Sequence, residues 1–384
     1  MQFEFVTAGR IIFGPGKIQE LGAIAATLGK RAFIPAAKNS SQARLVCDLL
    51  AKHNIRAEVF PVEHEPNTKL ILQAVQRARR LRSNLVIAIG GGSVIDTGKV
   101  VAAMLTNKGD LADYLEVIGK GRSLAKRAVP CIAVPTTAGT GAEVTRNAVI
   151  ASTEHKVKVS IRSPYLLPHV ALVDPELTMS MPPEVTASTG LDALTQLMEA
   201  YVTHKANPLT DGLCREGLAR AARSLRAAFH HGADPAARED MSVAGLFSGV
   251  ALANAGLGAV HGFAGPLGGL FDAPHGVICA RLLPFVMEAN VRTLFASQPS
   301  SVSLQRYEQV AQILTGDAQA GAAAGVQWVK KVCAELNVAP LSFYGMQESD
   351  IPTVVEKARQ ASSMKGNPVE LDAATLAEIL HKAL

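Results

Sequence analysis

Cysteine is scarce in this sequence and is never closely paired. The five cysteines stand at positions 47, 131, 214, 279 and 333, and none belongs to a C-x-x-C pair. This pattern argues against a zinc ribbon and against a disulfide framework, and it favours a reducing cytoplasm. We therefore expect a cytoplasmic protein whose thiols are small buried apolar groups.

Aromatic residues, basic clusters and long apolar runs are also few. Aromatics make up 5% of the 384 residues, and the formal charge of +5 is spread along the chain. Without a long basic block interleaved with aromatics, nucleic acid is not an expected partner. No apolar run approaches the ~20 residues of a membrane span, and "MQFEFVTAGR" lacks the order of a signal peptide. A composition of 48% hydrophobic and 18% charged residues instead suits a well-packed enzyme.

The order of apolar runs divides the chain into two parts. Short apolar runs edged by Gly or Pro predict buried strands at 31–36, 57–62, 84–90 and 131–137. Helical spacing lies between them, so we predict a parallel sheet covered on both faces. After "MPPEVTAS" (181–188), long Ala- and Leu-rich stretches predict an all-helical part. The boundary is expected near Pro182–Pro183, which gives an α/β domain over 1–182 and an all-α domain over 183–384.

A glycine-rich turn follows the third predicted strand, in "NLVIAIGGGSVIDTGK". Three glycines there can adopt positive φ and let backbone N–H groups approach a ligand: Gly90, Gly91 and Gly92. Ser93 and Asp96 form a capping-box pattern, which predicts a helix N-terminus at the loop. Such an end attracts phosphate through its free N–H groups and the helix dipole. The turn is neither a G-x-G-x-x-G fingerprint nor a P-loop, so by itself it indicates a phosphate and no more.

A loop rich in hydroxyl groups follows the fourth predicted strand, in "VPTTAGTGAEVT" (134–145). Thr136, Thr137 and Thr140 could hydrogen-bond a ribose, a phosphate or an amide, and ordinary turn chemistry would also explain them. This loop and the glycine turn both fall at the carboxyl edge of the predicted sheet. Nucleotides bind at that edge in α/β proteins.

The second part of the chain offers candidate metal ligands. Asp192 and Gln196 are four residues apart, so they share one helix face among Leu, Ala and Met. Burying a carboxylate is costly unless it is paired or bound to a metal. His261 and His275 lie in "GAVHGFAGPLGGLFDAPHGVICA" (258–280), each followed by Gly. Two histidines and a buried carboxylate are enough for a catalytic divalent cation that keeps an open position.

These motifs carry a resemblance to a known family. The chain is similar nearly end to end to the group III, iron-containing alcohol dehydrogenases, through blocks that include "RIIFGPG" (10–16), "GGGSVIDTGK" (90–99), "PTTAGTGAEVT" (135–145), "VDPELT" (173–178) and "GLDALT" (190–195). The resemblance implies a dehydroquinate synthase-like fold, in which an α/β dinucleotide-binding domain precedes an all-α domain for metal and substrate. It also implies NAD(P)-dependent interconversion of small alcohols with aldehydes or ketones, and commonly a homodimer.

The resemblance further implies roles for single residues. The family's metal ligands match Asp192, His261 and His275. Their catalytic role is to hold the metal. Its pyrophosphate loop matches Gly90, Gly91, Gly92 and Ser93. Positions that line its cofactor match Asp96, Thr136, Thr137, Thr140 and Lys158. A charge at a strand edge would equally explain Lys158.

The sequence departs from the family at three positions. Gln196 replaces a metal-binding His, and because a Gln oxygen is a poorer ligand than imidazole, we expect a weak fourth ligand or a hydrogen-bonding neighbour. The cation, Fe2+ or Zn2+, would then be weakly held. Gly265 replaces a His near the substrate, so protons would travel by water, a ribose hydroxyl or another side chain. Ala37, followed by Lys38, replaces the acid that bonds the adenine ribose, which makes NADP as plausible as NAD.

Three other functions stay open at this point. A maleylacetate reductase-like enzyme would work without metal, but retention of Asp192, His261 and His275 counts against it. A dehydroquinate synthase-like lyase would use the cofactor transiently, but "PTTAGTG" and "VDPELT" fit the alcohol dehydrogenase branch better. A nucleotide-binding protein without catalysis would have no use for intact metal ligands. The sequence therefore favours a metal-assisted NAD(P)-dependent alcohol dehydrogenase.

Overall fold

A computed structural model describes residues 2–152, 154–155 and 157–384. They divide into two compact units. The first comprises Val6–Thr137 and Gly141–Met179, and the second comprises Ser180–Leu384 with Ala138–Thr140 and the N-terminal residues up to Phe5. The assignment of dinucleotide binding to 1–182 and of metal and substrate binding to 183–384 stays a prediction.

A six-stranded parallel sheet forms the centre of the first unit. Numbered along the chain, its strands have the spatial order β1 (Ile11–Phe13), β8 (Val170–Val173), β5 (Cys131–Pro135), β4 (Leu85–Gly90), β2 (Arg31–Ala36) and β3 (Arg56–Pro61). The helices that connect the early strands are α1 (Leu21–Leu28), α2 (Ser41–Ala51), α3 (Thr68–Arg80) and α4 (Gly92–Met104). Two further strands of the same unit, β6 (Asn147–Ser152) and β7 (Val157–Arg162), pair antiparallel with each other.

Side chains of the central strands alternate between two apolar clusters, as the pleat requires. Phe33 and Val86 belong to the cluster that contains side chains of α3 and α4. Ile34 and Ile87 belong to the cluster that contains side chains of α1 and α2. The sheet is therefore covered on both faces, which explains why β4 reads as a continuous apolar run.

The strand predicted at 57–62 is present as β3, but the prediction that it is buried is wrong. This strand lies at the edge of the sheet, and its side chains are mostly exposed. A short apolar run alone does not distinguish an edge strand from a central one.

The second unit is built from helices packed around one apolar core. Its helices are α5 (Pro183–Val202), α6 (Pro208–His230), α7 (Pro235–Ala255), α8 (Ala259–Leu270), α9 (His275–Ser297), α10 (Val302–Thr315), α11 (Ala322–Glu335), α12 (Ile351–Gln360) and α13 (Ala373–Ala383). Nearly every residue of α5 from Thr186 onward is buried. A helix buried on all sides must satisfy its polar side chains from within the protein.

No single helix of the described residues has the length and apolar composition of a membrane span. Only α7 and α8 taken together pass that test, and they are bent by 99° at the break between them.

Candidate active site

Three polar side chains lie on one buried face of α5. Asp192, Gln196 and Glu199 occupy positions i, i+4 and i+7 of this helix, and all three are at most 6% exposed. The amide Nε2 of Gln196 donates a hydrogen bond to Oδ2 of Asp192 at 3.1 Å. The hydrogen-bonding role predicted for Gln196 therefore has a visible partner.

The second carboxylate oxygen of Asp192 faces two histidines. Its Oδ1 lies 3.4 Å from Nε2 of His261 and 3.8 Å from Nε2 of His275. Among the described residues, Oδ1 of Asp192 and Oε1 of Gln196 are buried without a hydrogen-bond partner. A buried oxygen without a partner is costly, so this geometry is suited to an ion that would sit between the carboxylate and the imidazoles.

The two histidines reach Asp192 because α8 and α9 both begin beside α5. His261 lies in the first turn of α8, and His275 is the first residue of α9. A Cβ added at Gly276 would lie 2.6 Å from the backbone oxygen of Ser188 on α5. Glycine is thus required at position 276, because the start of α9 approaches the backbone of α5 too closely for any side chain.

Glu199 fixes the orientation of His261. Its Oε2 accepts a hydrogen bond from Nδ1 of His261 at 2.6 Å, and its Oε1 accepts one from the backbone N–H of Val260 at 2.7 Å. The same carboxylate therefore caps the first turn of α8 and turns Nε2 of His261 toward Asp192. Metal-bound histidines commonly have such a carboxylate on their other nitrogen. Glu199 was not predicted as a site residue, although its spacing of seven residues from Asp192 places both on one helix face.

Cys279 also lies among these side chains. Its Sγ is 3.7 Å from Nε2 of His261 and 3.6 Å from Nε2 of His275. One ligand atom from each of Asp192, His261, His275 and Cys279 lies within 4.8 Å of the others. The thiol is buried as predicted, but it contacts two imidazoles rather than serving only as a small apolar group.

Contacts within the cluster shift the pKa values of Asp192 and His261 toward their charged forms. Burial raises the pKa of Asp192, but the close polar contact with His261 and the charges of both histidines bring that pKa below its usual value. Burial lowers the pKa of His261, but contacts with Cys279, Asp192 and Glu199 raise it well above 6.5. Acid and imidazole thus favour each other's charged forms, as they would not in an apolar core.

The glycine-rich turn lies at the carboxyl end of β4, and phosphate binding by Gly90, Gly91, Gly92 and Ser93 stays a prediction. The helix α4 begins at Gly92, and its N-cap Gly91 has no side-chain cap bond among the described residues. This thirteen-residue helix therefore presents backbone N–H groups at the edge of the sheet, as an anion site requires. Just after the neighbouring strand β5, the backbone N–H of Thr136 donates to the oxygen of Gly90 at 3.0 Å, and Thr137 lies beside Gly91.

Two details of that loop differ from the prediction. Gly90, Gly91 and Gly92 are not among the glycines with positive φ. Glycine is needed at position 90 for space, because a Cβ there would lie 2.6 Å from the side chain of Val94. The predicted capping box is also wrong, because Ser93 and Asp96 both lie inside α4.

Asp96 and Lys158 have partners within the first unit. Asp96 accepts a hydrogen bond from the backbone N–H of Val149 at 2.9 Å and forms an ion pair with buried Lys99 at 2.9 Å. Lys158 on β7 forms an ion pair with Glu65 at 2.5 Å. Thr140 belongs to the helical unit. The cofactor-lining roles of Asp96, Thr136, Thr137, Thr140 and Lys158 stay predictions.

An α/β unit with a glycine-rich turn at the carboxyl edge of its sheet, joined in one chain to a helical unit whose clustered side chains could hold a metal, fits a class of two-part, nucleotide-dependent oxidoreductases. Comparison with known proteins agrees with this class and narrows it. Residues 8–175 match the iron-containing alcohol dehydrogenase family, and residues 186–384 match the C-terminal region of the Fe-containing alcohol dehydrogenase family. The chain belongs to the iron-containing alcohol dehydrogenase family.

Individual relatives match over essentially the whole chain. A 1,3-propanediol dehydrogenase from Citrobacter freundii is 34% identical over 392 residues, which cover 99% of this chain and 98% of that protein. A solved structure of a 1,3-propanediol oxidoreductase superposes with a TM-score of 0.92 at 32% identity and covers 100% of both chains. The sulfoacetaldehyde reductase of Bifidobacterium kashiwanohense, solved in complex with NAD+, has a TM-score of 0.88 at 26% identity, covering 100% of this chain and 99% of that one.

These matches confirm the predicted fold, an α/β domain plus a helical C-terminal domain, and the predicted activity. The protein is an oxidoreductase that interconverts alcohols and aldehydes or ketones, and its family binds a metal and NAD(P). Dimer formation and a cytoplasmic location stay predictions.

Proposed function

We propose that Asp192, His261 and His275 hold a divalent cation that assists NAD(P)-linked interconversion of a small alcohol with its carbonyl compound. The observation that carries this proposal is the buried Oδ1 of Asp192, which has no hydrogen-bond partner among the described residues and faces both imidazoles. A carboxylate and two imidazoles are a donor set that suits Fe2+ and Zn2+.

Each protein group has a separate task at this site. A bound divalent cation supplies Lewis-acid chemistry, which stabilises negative charge that develops on the substrate oxygen during hydride transfer. Glu199 keeps Nδ1 of His261 occupied, so that Nε2 is the nitrogen available as a ligand. Gln196 holds Oδ2 of Asp192, so that Oδ1 is the oxygen available as a ligand.

In the first unit, we propose that Gly91, Gly92 and Ser93 bind the pyrophosphate through backbone N–H groups at the start of α4. The ribose end is formed by the residues that follow β2. Ala37 has no carboxylate that would repel a 2′-phosphate, and the positively charged side chain of Lys38 could attract one. Lys38 forms an exposed ion pair with Glu63 at 2.8 Å. A 2′-phosphate would compete with Glu63 for the Lys38 ammonium group. We therefore propose that the enzyme accepts both NADH and NADPH.

Gly265 is proposed to widen the space for the substrate. It lies one turn after His261 on α8, and a Cβ added there would meet no atom within 4 Å among the described residues. A family member with His at this position would have a ring in that space. Because Gly265 lacks this ring, we expect activity on aldehydes bulkier than a three-carbon chain.

The test uses the 384-residue chain after chelator treatment. Oxidation of NADH or NADPH would be followed with a panel of aldehydes, before and after addition of Fe2+, Zn2+ or Mn2+. We expect activity to return with metal in the wild type and in Asp317→Asn, an exposed control, but not in Asp192→Asn. Full activity of the metal-free protein would instead favour a metal-independent reductase of the maleylacetate type.

A further inference from the structure

The candidate metal site has a fourth donor that the family resemblance does not supply. Cys279 follows His275 by one turn of α9, so its sulfur lies on the same face of that helix as the His275 ring. The Sγ atom lies 3.7 Å from Nε2 of His261 and 3.6 Å from Nε2 of His275. The same two nitrogens face Oδ1 of Asp192 at 3.4 and 3.8 Å.

These four separations can be compared with the edges of a zinc tetrahedron. Bonds of about 2.0–2.2 Å to nitrogen or oxygen and about 2.3 Å to sulfur give edges of roughly 3.4 Å between O and N and roughly 3.6 Å between S and N at tetrahedral angles. The two observed S–N separations and the shorter O–N separation lie within about 0.1 Å of these edges, and the longer O–N separation is about 0.4 Å wider. These four separations therefore suit donor atoms arranged around one ion, and all four donor atoms lie within 4.8 Å of one another.

The buried oxygen of Asp192 is an independent sign of a ligand. It has no hydrogen-bond partner among the described residues, and Asp192 is fully buried. Gln196 is the residue at the position of the family's missing histidine, and its amide N–H is engaged with Oδ2 of Asp192. Its Oε1 is also buried without a hydrogen-bond partner among the described residues, but an amide oxygen is a poorer ligand than a thiolate for a transition metal. The sulfur of Cys279 on α9 is therefore the better fourth donor, and a substrate oxygen would bind the cation as a fifth ligand.

We propose that Cys279 is a ligand of the divalent cation and that it replaces the imidazole lost at position 196. This inference rests on the metal site proposed above. The sulfur binds as thiolate, and its proton is released to solvent when the cation binds. With the Asp192 carboxylate it supplies two negative charges, which neutralise a divalent ion. A thiolate in the donor set favours Zn2+ over Fe2+.

Cobalt(II) reports on this ligand directly, because a thiolate–cobalt bond gives a charge-transfer absorption in the near ultraviolet that nitrogen and oxygen ligands do not give. Metal-free wild-type protein would be titrated with CoCl2 under reducing, oxygen-free conditions. Absorption spectra and bound cobalt after dialysis would be recorded for wild type, Cys279→Ala and Cys214→Ala. Cys214 is a matched control, because it is a buried thiol in the same helical unit.

We expect the band at one cobalt per chain in wild type and in Cys214→Ala, and its loss in Cys279→Ala. Cobalt that binds at one per chain to the wild type without this band would overturn the role of Cys279 and leave the metal site itself standing. No cobalt bound to the wild type would overturn the proposed metal site as well.

A second measurement avoids any dependence on the folding of a variant. X-ray absorption at the zinc edge of the wild-type, zinc-loaded protein should show one sulfur neighbour at about 2.3 Å. A first coordination sphere made only of nitrogen and oxygen would contradict the proposal.

Discussion

Glu199 joins Asp192 and His261 into a single unit, since its Oε2 accepts a 2.6 Å hydrogen bond from Nδ1 of His261 while both carboxylates lie on one face of α5. The imidazole is thereby held between two acids of the same helix, with Nε2 directed to Asp192 at 3.4 Å. In the candidate metal site, α5 therefore supplies both carboxylates, and α8 and α9 supply the two imidazoles.

Glu199→Gln should weaken metal binding while leaving the fold intact. The amide oxygen can still accept from Val260 N–H, but the amide N–H group no longer accepts from Nδ1 of His261. Loss of such an orienting carboxylate typically lowers metal affinity about 10–100-fold. Metal affinity measured by competition with a chromophoric chelator checks this, with exposed Glu216→Gln as control. Equal affinity in Glu199→Gln and wild type would show that this carboxylate serves only to cap α8.

A histidine at position 196 should rescue the loss of Cys279. Cys279→Ala removes the fourth donor, and Gln196→His in the same chain supplies an imidazole from the face of α5 that already carries Asp192. We expect zinc affinity to fall in the single variant and to recover in the double variant. The control places histidine at exposed position 305 in the Cys279→Ala chain. If position 196 restores no more affinity than position 305, Gln196 does not face the cation.

Stability should fall as pH rises because of Glu143. Burial raises the pKa of this carboxyl to about 7, against smaller opposing effects of a backbone hydrogen bond and of the charge of Lys99. The folded state thus binds the Glu143 proton more tightly than the unfolded state does. Its stabilising effect is full below pH 4.5 and is lost as pH rises through about 7, by an amount on the order of 3 kcal/mol.

Urea unfolding of wild type and Glu143→Gln between pH 5 and pH 8 measures this effect. The wild type should lose stability relative to the variant as pH rises, because the amide cannot ionise. Exposed Glu370→Gln serves as the control and should follow the wild type. If the free energy of unfolding changes with pH in parallel for wild type and Glu143→Gln, Glu143 ionises equally easily in the folded and unfolded protein, which contradicts the prediction.

Lys38→Ala should separate the two cofactors. Removing the positive charge of Lys38 should raise the KM for NADPH roughly 10-fold, as expected when a hydrogen bond to a charged group is lost. The KM for NADH should stay unchanged. Steady-state kinetics with one aldehyde and both cofactors measures this, with Lys30→Ala as a control at the opposite end of β2. Equal changes for NADH and NADPH would contradict a 2′-phosphate site at Lys38.

The fold was predictable because its signals are local and repeated. Apolar runs, glycine turns and helical periodicity each extend over many residues, and the predicted strands at 31–36, 84–90 and 131–137 correspond to β2, β4 and β5. The edge position of β3 was not predictable, since it depends on which strands pair and not on the composition of one strand.

Candidate site residues were predictable only where a motif marks them. Asp192, His261 and His275 are flanked by family blocks, whereas Cys279 and Glu199 acquire their meaning from the packing of α5, α8 and α9. That packing depends on close backbone approach, such as Gly276 against Ser188. Sequence spacing within one helix could suggest Glu199, but it could not show which ring lies opposite.

The most direct test of the central claim is calorimetric titration of metal-free protein with Zn2+. The account predicts one zinc site per chain in the wild type and in Asp317→Asn, and none in Asp192→Asn, because the carboxylate oxygen that faces both imidazoles is lost. A zinc site of unchanged affinity in a folded Asp192→Asn protein would contradict the assignment of Asp192, His261 and His275 as the metal ligands.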